Sequence, residues 1–239
     1  MGTAAATVSV RRQDGTAVED RAWETTPIEL LGAALPWRTF RWYKGQRHYS
    51  GTYWSATVDD HVIYESRLEL GRLLFADFDP GVRHIVAQPF LLKTVLEGKV
   101  RKHIPDYLLL AEQGPVVVDV KPLRRVSKPE VAFTFGWTRQ LVESRGWRYE
   151  VWSEPPPVEL ENIRFLAGYR RGWLFSPAIM DELAGAELDG VSLGQATGLL
   201  PSHSEPQVRA AVLHMLWKQD FAVDLGTPIT PSHVLRRAA

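Results

Sequence analysis

The chain has 239 residues, enough for one large domain or a mid-sized one with a small companion. Hydrophobic residues make up 45% and charged residues 23%, an ordinary globular balance, and no stretch approaches the roughly 18 uninterrupted apolar residues that suggest a membrane span. There is no cysteine, which excludes disulfides, thiol catalysis and cysteine-ligated zinc and is compatible with a cytoplasmic protein. The 28 basic and 28 acidic residues cancel, but not evenly: residues 1–172 hold 24 basic against 21 acidic, and residues 173–239 hold 4 against 7. This balance neither demands nor forbids a nucleic-acid partner.

Residues 1–24 are small and polar without a lasting period and suggest a flexible N-terminal arm, with no apolar block of a secretory signal. From Trp37 to Trp54 follows WRTFRWYKGQRHYSGTYW, dense in rings and basic groups. Residues 61–76 suggest a helix, with Tyr64, Leu68 and Phe75 beside Leu70, Leu73 and Leu74 on its apolar face, closed by Pro80 and Gly81. Two aliphatic runs, 104–110 and 116–121, flank Glu112-Gln113-Gly114-Pro115 and predict a β-hairpin. Pro105 suits a strand start and Pro122 stops the second strand. A helix is predicted over 129–145, with Pro129 in its first turn and Gly146 past its end, then a strand over 147–153. The order helix, hairpin, helix, strand predicts a mixed α/β core. Pro155 to Pro157 mark one candidate boundary and residue 172 another; the organisation expected is an arm over 1–24, a core domain over 25–172 and a C-terminal module over 173–239. In that module helices are predicted over 178–186, 191–200 and 206–219, the last with a stripe of Val208, Ala211, Val212, Met215 and Leu216. A small ribbon from FAVDL, GTPIT and HVLRR follows, a winged-helix-like pattern. No internal repeat is present.

Phosphodiester hydrolysis at neutral pH needs a hard cation to polarise the phosphate, an activated water, and relief of charge on the leaving oxygen. Magnesium asks for oxygen ligands and keeps several waters, so two or three carboxylates around one point suffice. The predicted hairpin brings Asp106, at the start of its first strand, near Asp119, at the end of its second. Asp119 and Lys121 are two residues apart and share a strand face. A lysine there can orient water or neutralise phosphate. A third acid comes from the preceding helix, where Glu65 and Glu69 lie one turn apart; Arg72 on that face can hold a phosphate or pair with Glu69. Either Glu65 or Glu69 can approach the hairpin to join Asp106, Asp119 and the Val120 carbonyl in holding Mg2+, with Mn2+ able to substitute. Isolated Asp and Lys residues on strands are usually solvated. Here Asp119 sits inside VVVDVK, a run typical of a strand buried on both faces, and a buried carboxylate needs a partner or a metal.

Glu69, Ile104-Pro105-Asp106 and Asp119-Val120-Lys121 resemble the PD-(D/E)xK nuclease signature. More narrowly, residues 64–82, 88–90, 103–110, 116–122 and 146–154 resemble TnsA, the endonuclease subunit of heteromeric transposases. That resemblance covers about ninety residues. It implies a restriction-endonuclease-like mixed sheet flanked by helices, and Mg2+-dependent nicking of double-stranded DNA at transposon ends. A DDE transposase subunit and a regulatory ATPase would be partners. Ser66 to Glu69 matches the family's Ser-x-x-Glu pattern and favours Glu69 over Glu65. One lineage has glutamine where Asp119 stands; Asp119 follows the general signature. The alternatives are a stand-alone restriction- or repair-type endonuclease and a non-catalytic adaptor on the same fold, since one fold serves several functions.

Arg38, Arg41, Lys44 and Arg47, with His48, can track a DNA backbone, or the Trp37–Trp54 block can be a twisted hairpin covering the core. Arg124, Arg125 and Lys128 follow Lys121 where neighbouring phosphates would lie. His103 reads as packed or solvated rather than a proton shuttle, and Gln88 as bonded to backbone. Trp147 and Trp152 read as core. The histidines show no zinc spacing, and neither a Gly-rich phosphate loop nor a Gly-x-Ser-x-Gly elbow is present.

Overall fold

A computed structural model describes residues 6–38 and 49–237. The chain is mixed α/β and divides into two compact units: residues 1–77 with 81–154, and residues 78–80 with 155–239. The division falls at the proline run, the earlier of the two candidate boundaries, and not near residue 172.

In the first unit, β1 (Thr7–Arg11) and β2 (Ala17–Ala22) form an antiparallel hairpin. β1 also pairs with β6 (Leu91–Leu96), which pairs with β7 (Lys99–His103), giving the sheet order β2-β1-β6-β7. The flexible arm expected over 1–24 is therefore corrected for the described residues. Val8, Val10 and Trp23 are fully buried. The Trp23 indole N–H donates to the Leu141 carbonyl at 2.7 Å, and the Arg145 guanidinium lies 4.7 Å from the Trp23 ring and 3.9 Å from that of Trp147. These polar-looking residues hide a strand because β2 is an edge whose side chains stay mostly in solvent. The β6–β7 hairpin also escapes the sequence reading. It turns at Glu97 (φ 51°) and Gly98 (φ 71°), the left-handed pair that a two-residue turn matched to strand twist demands.

After the short helix α1 (Ile28–Gly32), β3 (Gly51–Ser55) pairs with β4 (Asp60–Tyr64). Residues 51–54 of the aromatic block thus enter a hairpin, while residues 39–48 lie outside the described residues. The helix predicted over 61–76 is corrected at its start. Val62, Ile63 and Tyr64 belong to β4, where β-branched and aromatic side chains favour extension, and α2 runs from Arg67 to Phe78.

The second sheet carries the predicted hairpin. β5 (Val82–Ala87) pairs antiparallel with β8 (Tyr107–Ala111), β8 antiparallel with β9 (Gly114–Val120), and β9 parallel with β10 (Arg148–Trp152), in the order β10-β9-β8-β5. Val116 to Val120 are all buried, as the uninterrupted apolar run implied. After a short turn of helix α3 (Leu123–Val126), α4 (Pro129–Glu143) makes the crossover between the parallel strands, starting on the expected proline. One core joins Val8, Val10, Phe90 and Leu92 to Leu108, Val117, Phe135 and Tyr149.

The second unit begins with α5 (Pro157–Leu166), which the sequence reading passes over, and continues through α6 (Pro177–Gly185), α7 (Leu193–Thr197) and α8 (Glu205–Trp217). α8 is the buried axis, enclosed from Ala211 through Trp217. Ser192 and Gln195 form a capping box at the start of α7. A two-stranded ribbon of β11 (Phe221–Ala222) and β12 (Arg236–Arg237) closes the unit. Among the described residues no helix is long and apolar enough to cross a membrane.

Candidate functional site

The hairpin places two acids side by side. Asp106 immediately precedes β8, and its N–H donates to the Val118 carbonyl at 3.0 Å, continuing the ladder toward Asp119. Its Oδ2 accepts the Val120 N–H at 2.6 Å. Asp119 on β9 is only 2% exposed. His103 Nε2 lies 2.8 Å from each Asp119 oxygen, and the Tyr149 hydroxyl donates to Asp119 Oδ2.

Glu69 stands in the first turn of α2. Its Oε2 accepts the Glu65 N–H at 2.6 Å and its Oε1 accepts the Ser66 hydroxyl at 2.9 Å, while Ser66 Oγ accepts the Glu69 N–H at 3.1 Å. The Ser-x-x-Glu pattern thus has a structural purpose as well: this is a variant of the capping box, tying off N–H groups that have no partner at a helix start. Burial lifts the Glu69 carboxyl above its usual range, against its hydrogen bonds; Glu65 adds to the rise and Lys121 opposes it. The Glu65 carboxylate accepts from the Gln88 amide.

The acids act on one another. Burial pushes the Asp106 carboxyl well above the usual carboxylate range, the negative charges of Asp119 and then Glu69 push it further, and the Val120 N–H and Lys121 pull it back. The buried Tyr107 hydroxyl is raised by burial and then by Glu69 and Asp106. Glu69, Asp106, Asp119 and Lys121 therefore share one electrostatic neighbourhood, with more negative than positive charge. Among the described residues Lys121 has no carboxylate at salt-bridge distance, so its ammonium is uncommitted. Among those residues, too, no three acids or imidazoles already stand in position to grip one ion. Each acid is held instead by the donors just named.

The basic residues fare differently. Arg72 is committed to Glu150 on β10, 2.9 Å apart, with its side chain only 11% exposed. Its ion-pair partner is therefore Glu150 and not Glu69, which corrects the pairing read from the helix face. Arg124 and Arg125 on α3 and Lys128 before α4 are all exposed just beyond Lys121. Arg38 is exposed, with its N–H donating to Gln88 Oε1 at 2.9 Å; Arg41, Lys44 and Arg47 fall among the residues not described.

Two site residues are missed by the sequence reading. His103 is not merely packed: β7 delivers it to Asp119, and since that strand was not foreseen, nothing in the local sequence pointed there. Tyr149 had a usable signal. Val151 pairs with Asp119 across β9 and β10, so the residue two earlier on β10 shares that face. Burial first, then the Asp119 charge and hydrogen bond, drive the Tyr149 phenol far upward, so it remains a neutral donor. No protein-family model matches the chain, and no curated protein matches it.

Proposed function

We propose that this chain is a Mg2+-dependent DNA endonuclease whose site is Glu69, Asp106, Asp119 and Lys121. The observation that carries the reading is the setting of Asp106: a carboxyl buried at the hairpin's end and raised by burial and by the charges of Asp119 and Glu69, with the Lys121 ammonium opposing them. Crowded carboxylates are costly unless a cation offsets them, and an all-oxygen donor set suits a hard ion such as Mg2+ or Mn2+. Glu69, Asp106, Asp119 and the Val120 carbonyl would hold it. When bound, such an ion polarises the phosphate and lowers the pKa of water.

The protein groups supply the rest. Tyr149 and His103 keep Asp119 oriented. Lys121 orients the attacking water and offsets phosphate charge. Arg124, Arg125 and Lys128 give the backbone a cationic track beyond the scissile bond, and Arg38 opens a second one. Water adds to phosphorus as the P–O3′ bond breaks, freeing a 5′-phosphate end and a 3′-hydroxyl. The order α2, hairpin, α4, parallel β10 supports a restriction-endonuclease-like core, and helices α6 to α8 followed by a ribbon support a winged-helix-like second unit. The finer role, nicking transposon ends beside a DDE transposase and a regulatory ATPase, rests on the TnsA resemblance.

Cutting of supercoiled plasmid in Mg2+ tests the reading. In whichever setting the wild-type chain nicks, alone or with its transposase partner, Asp119→Ala nicks nothing; undiminished nicking by that variant refutes the assignment. Nicking by the isolated chain marks a stand-alone nuclease instead of a transposase subunit.

A further inference from the structure

Gln88 lies between β5 and β6, is 6% exposed, and holds φ at 45°. That left-handed region suits glycine; a long side chain there is disfavoured. Four hydrogen bonds converge on this one residue. Its N–H donates to the Asp106 carbonyl at 2.8 Å, and its carbonyl accepts the Trp37 N–H at 3.0 Å. Its Oε1 accepts the Arg38 N–H at 2.9 Å, and its Nε2 donates to the Glu65 carboxylate. Glu65 in turn donates its own N–H to Glu69. Glycine would supply the two backbone bonds without strain. Only the carboxamide, with one acceptor and one donor end, also joins the Arg38 peptide to Glu65.

The geometry points to Gln88 as a positioning residue that holds hairpin-borne Asp106 and helix-borne Glu69 in register, with Glu65 as its anchor and not a further ligand. This rests on the nuclease reading above. A strained backbone kept at such a place is characteristic of functional sites, where surrounding contacts hold what local preference resists. The same linkage ties the Trp37–Arg38 end of the basic block to the acids, so the first cationic residue of that block has its peptide fixed by the group that aligns the cluster.

The test is Mn2+ affinity of the full chain by titration calorimetry, read beside the melting temperature. Gln88→Gly relieves the φ strain but removes the amide. It is expected to melt no lower than wild type while binding Mn2+ about 10–100-fold more weakly, the usual cost of losing an outer-shell partner. A purely structural residue would move the melting temperature and leave affinity alone. Gln88→Glu sets carboxylate against carboxylate and weakens binding by the same order. Adding Glu65→Gln restores an amide–carboxylate pair with its ends exchanged and recovers most of the loss. Equal Mn2+ affinity in wild type and Gln88→Gly overturns the role of Gln88 alone, as does a double variant no tighter than Gln88→Glu. Failure of the wild-type chain to bind Mn2+ overturns the nuclease reading and this role together.

Discussion

Asp106→Asn separates what the site costs in stability from what it does. In the folded chain the Asp106 carboxyl is raised by burial and by the charges of Asp119 and Glu69. A raised folded value means that the stability this group contributes is full below the ordinary carboxylate range and is lost as pH rises through the folded value. The charges of Asp119 and Glu69 disfavour its ionised form, and the Val120 N–H and Lys121 offset part of that. Asparagine keeps an acceptor for the Val120 N–H and presents an amide to the two remaining acids. The variant should therefore be more stable than wild type by on the order of 1–2 kcal/mol in alkali, within the range seen for relief of functional-site strain. That corresponds to a melting shift of about 2–4 °C per kcal/mol in a chain of this size. The assay is thermal unfolding of both proteins at about pH 5 and about pH 8, with and without Mg2+. The gain should be small in acid and largest in alkali, and Mg2+ should stabilise wild type much more than the variant. A variant less stable than wild type in alkali, or a gain independent of pH, would falsify the crowded-acid account.

Tyr149→Phe leaves the buried Asp119 carboxylate one donor short; a loss of about 1–3 kcal/mol is expected in denaturant unfolding, and an unchanged midpoint would show that the phenol does not hold this acid. Trp23→Ala should cost about 3–5 kcal/mol as a buried aromatic of the first unit, whereas a residue in a flexible arm would cost nothing measurable. His214, stacked 4.5 Å from the Phe175 ring with its Nδ1–H on the Tyr169 carbonyl, is lowered mainly by burial. The unfolded chain then takes up a proton that the folded one refuses, so stability should fall as pH drops below the ordinary histidine value near 6.5. His214→Gln should flatten that part of the pH–stability curve of the second unit; an identical slope would place the titration elsewhere.

The β8–β9 hairpin was legible because its information is local: two aliphatic runs, a tight polar turn, and a parity that brings Asp106 and Asp119 to one end. α4 was legible for the same reason, with Pro129 at its start. What escaped depends on pairing between distant segments. β2 exposes nearly all its side chains, so nothing in its composition announces a strand. His103 reaches Asp119 only because β7 folds back along β6. Val62 to Tyr64 carry apolar residues at spacings that a helix also allows, and their pairing with β3 decides the matter. Glu69 was found by a pattern that serves two purposes, since Ser66 and Glu69 cap the very helix that presents the acid. Arg72 shared a helix face with Glu69 but found Glu150 on a strand 78 positions later, a partner no local spacing reveals.

The central claim, that a helix and a hairpin deliver three acids to one cation, is tested most directly by crystals soaked in Mn2+ and measured for anomalous scattering. A single strong peak bounded by the carboxylates of Glu69, Asp106 and Asp119, and missing in Asp119→Ala crystals, is the predicted result. A peak elsewhere, or none while these side chains keep their bonds to Ser66, Val120 and His103, would contradict it.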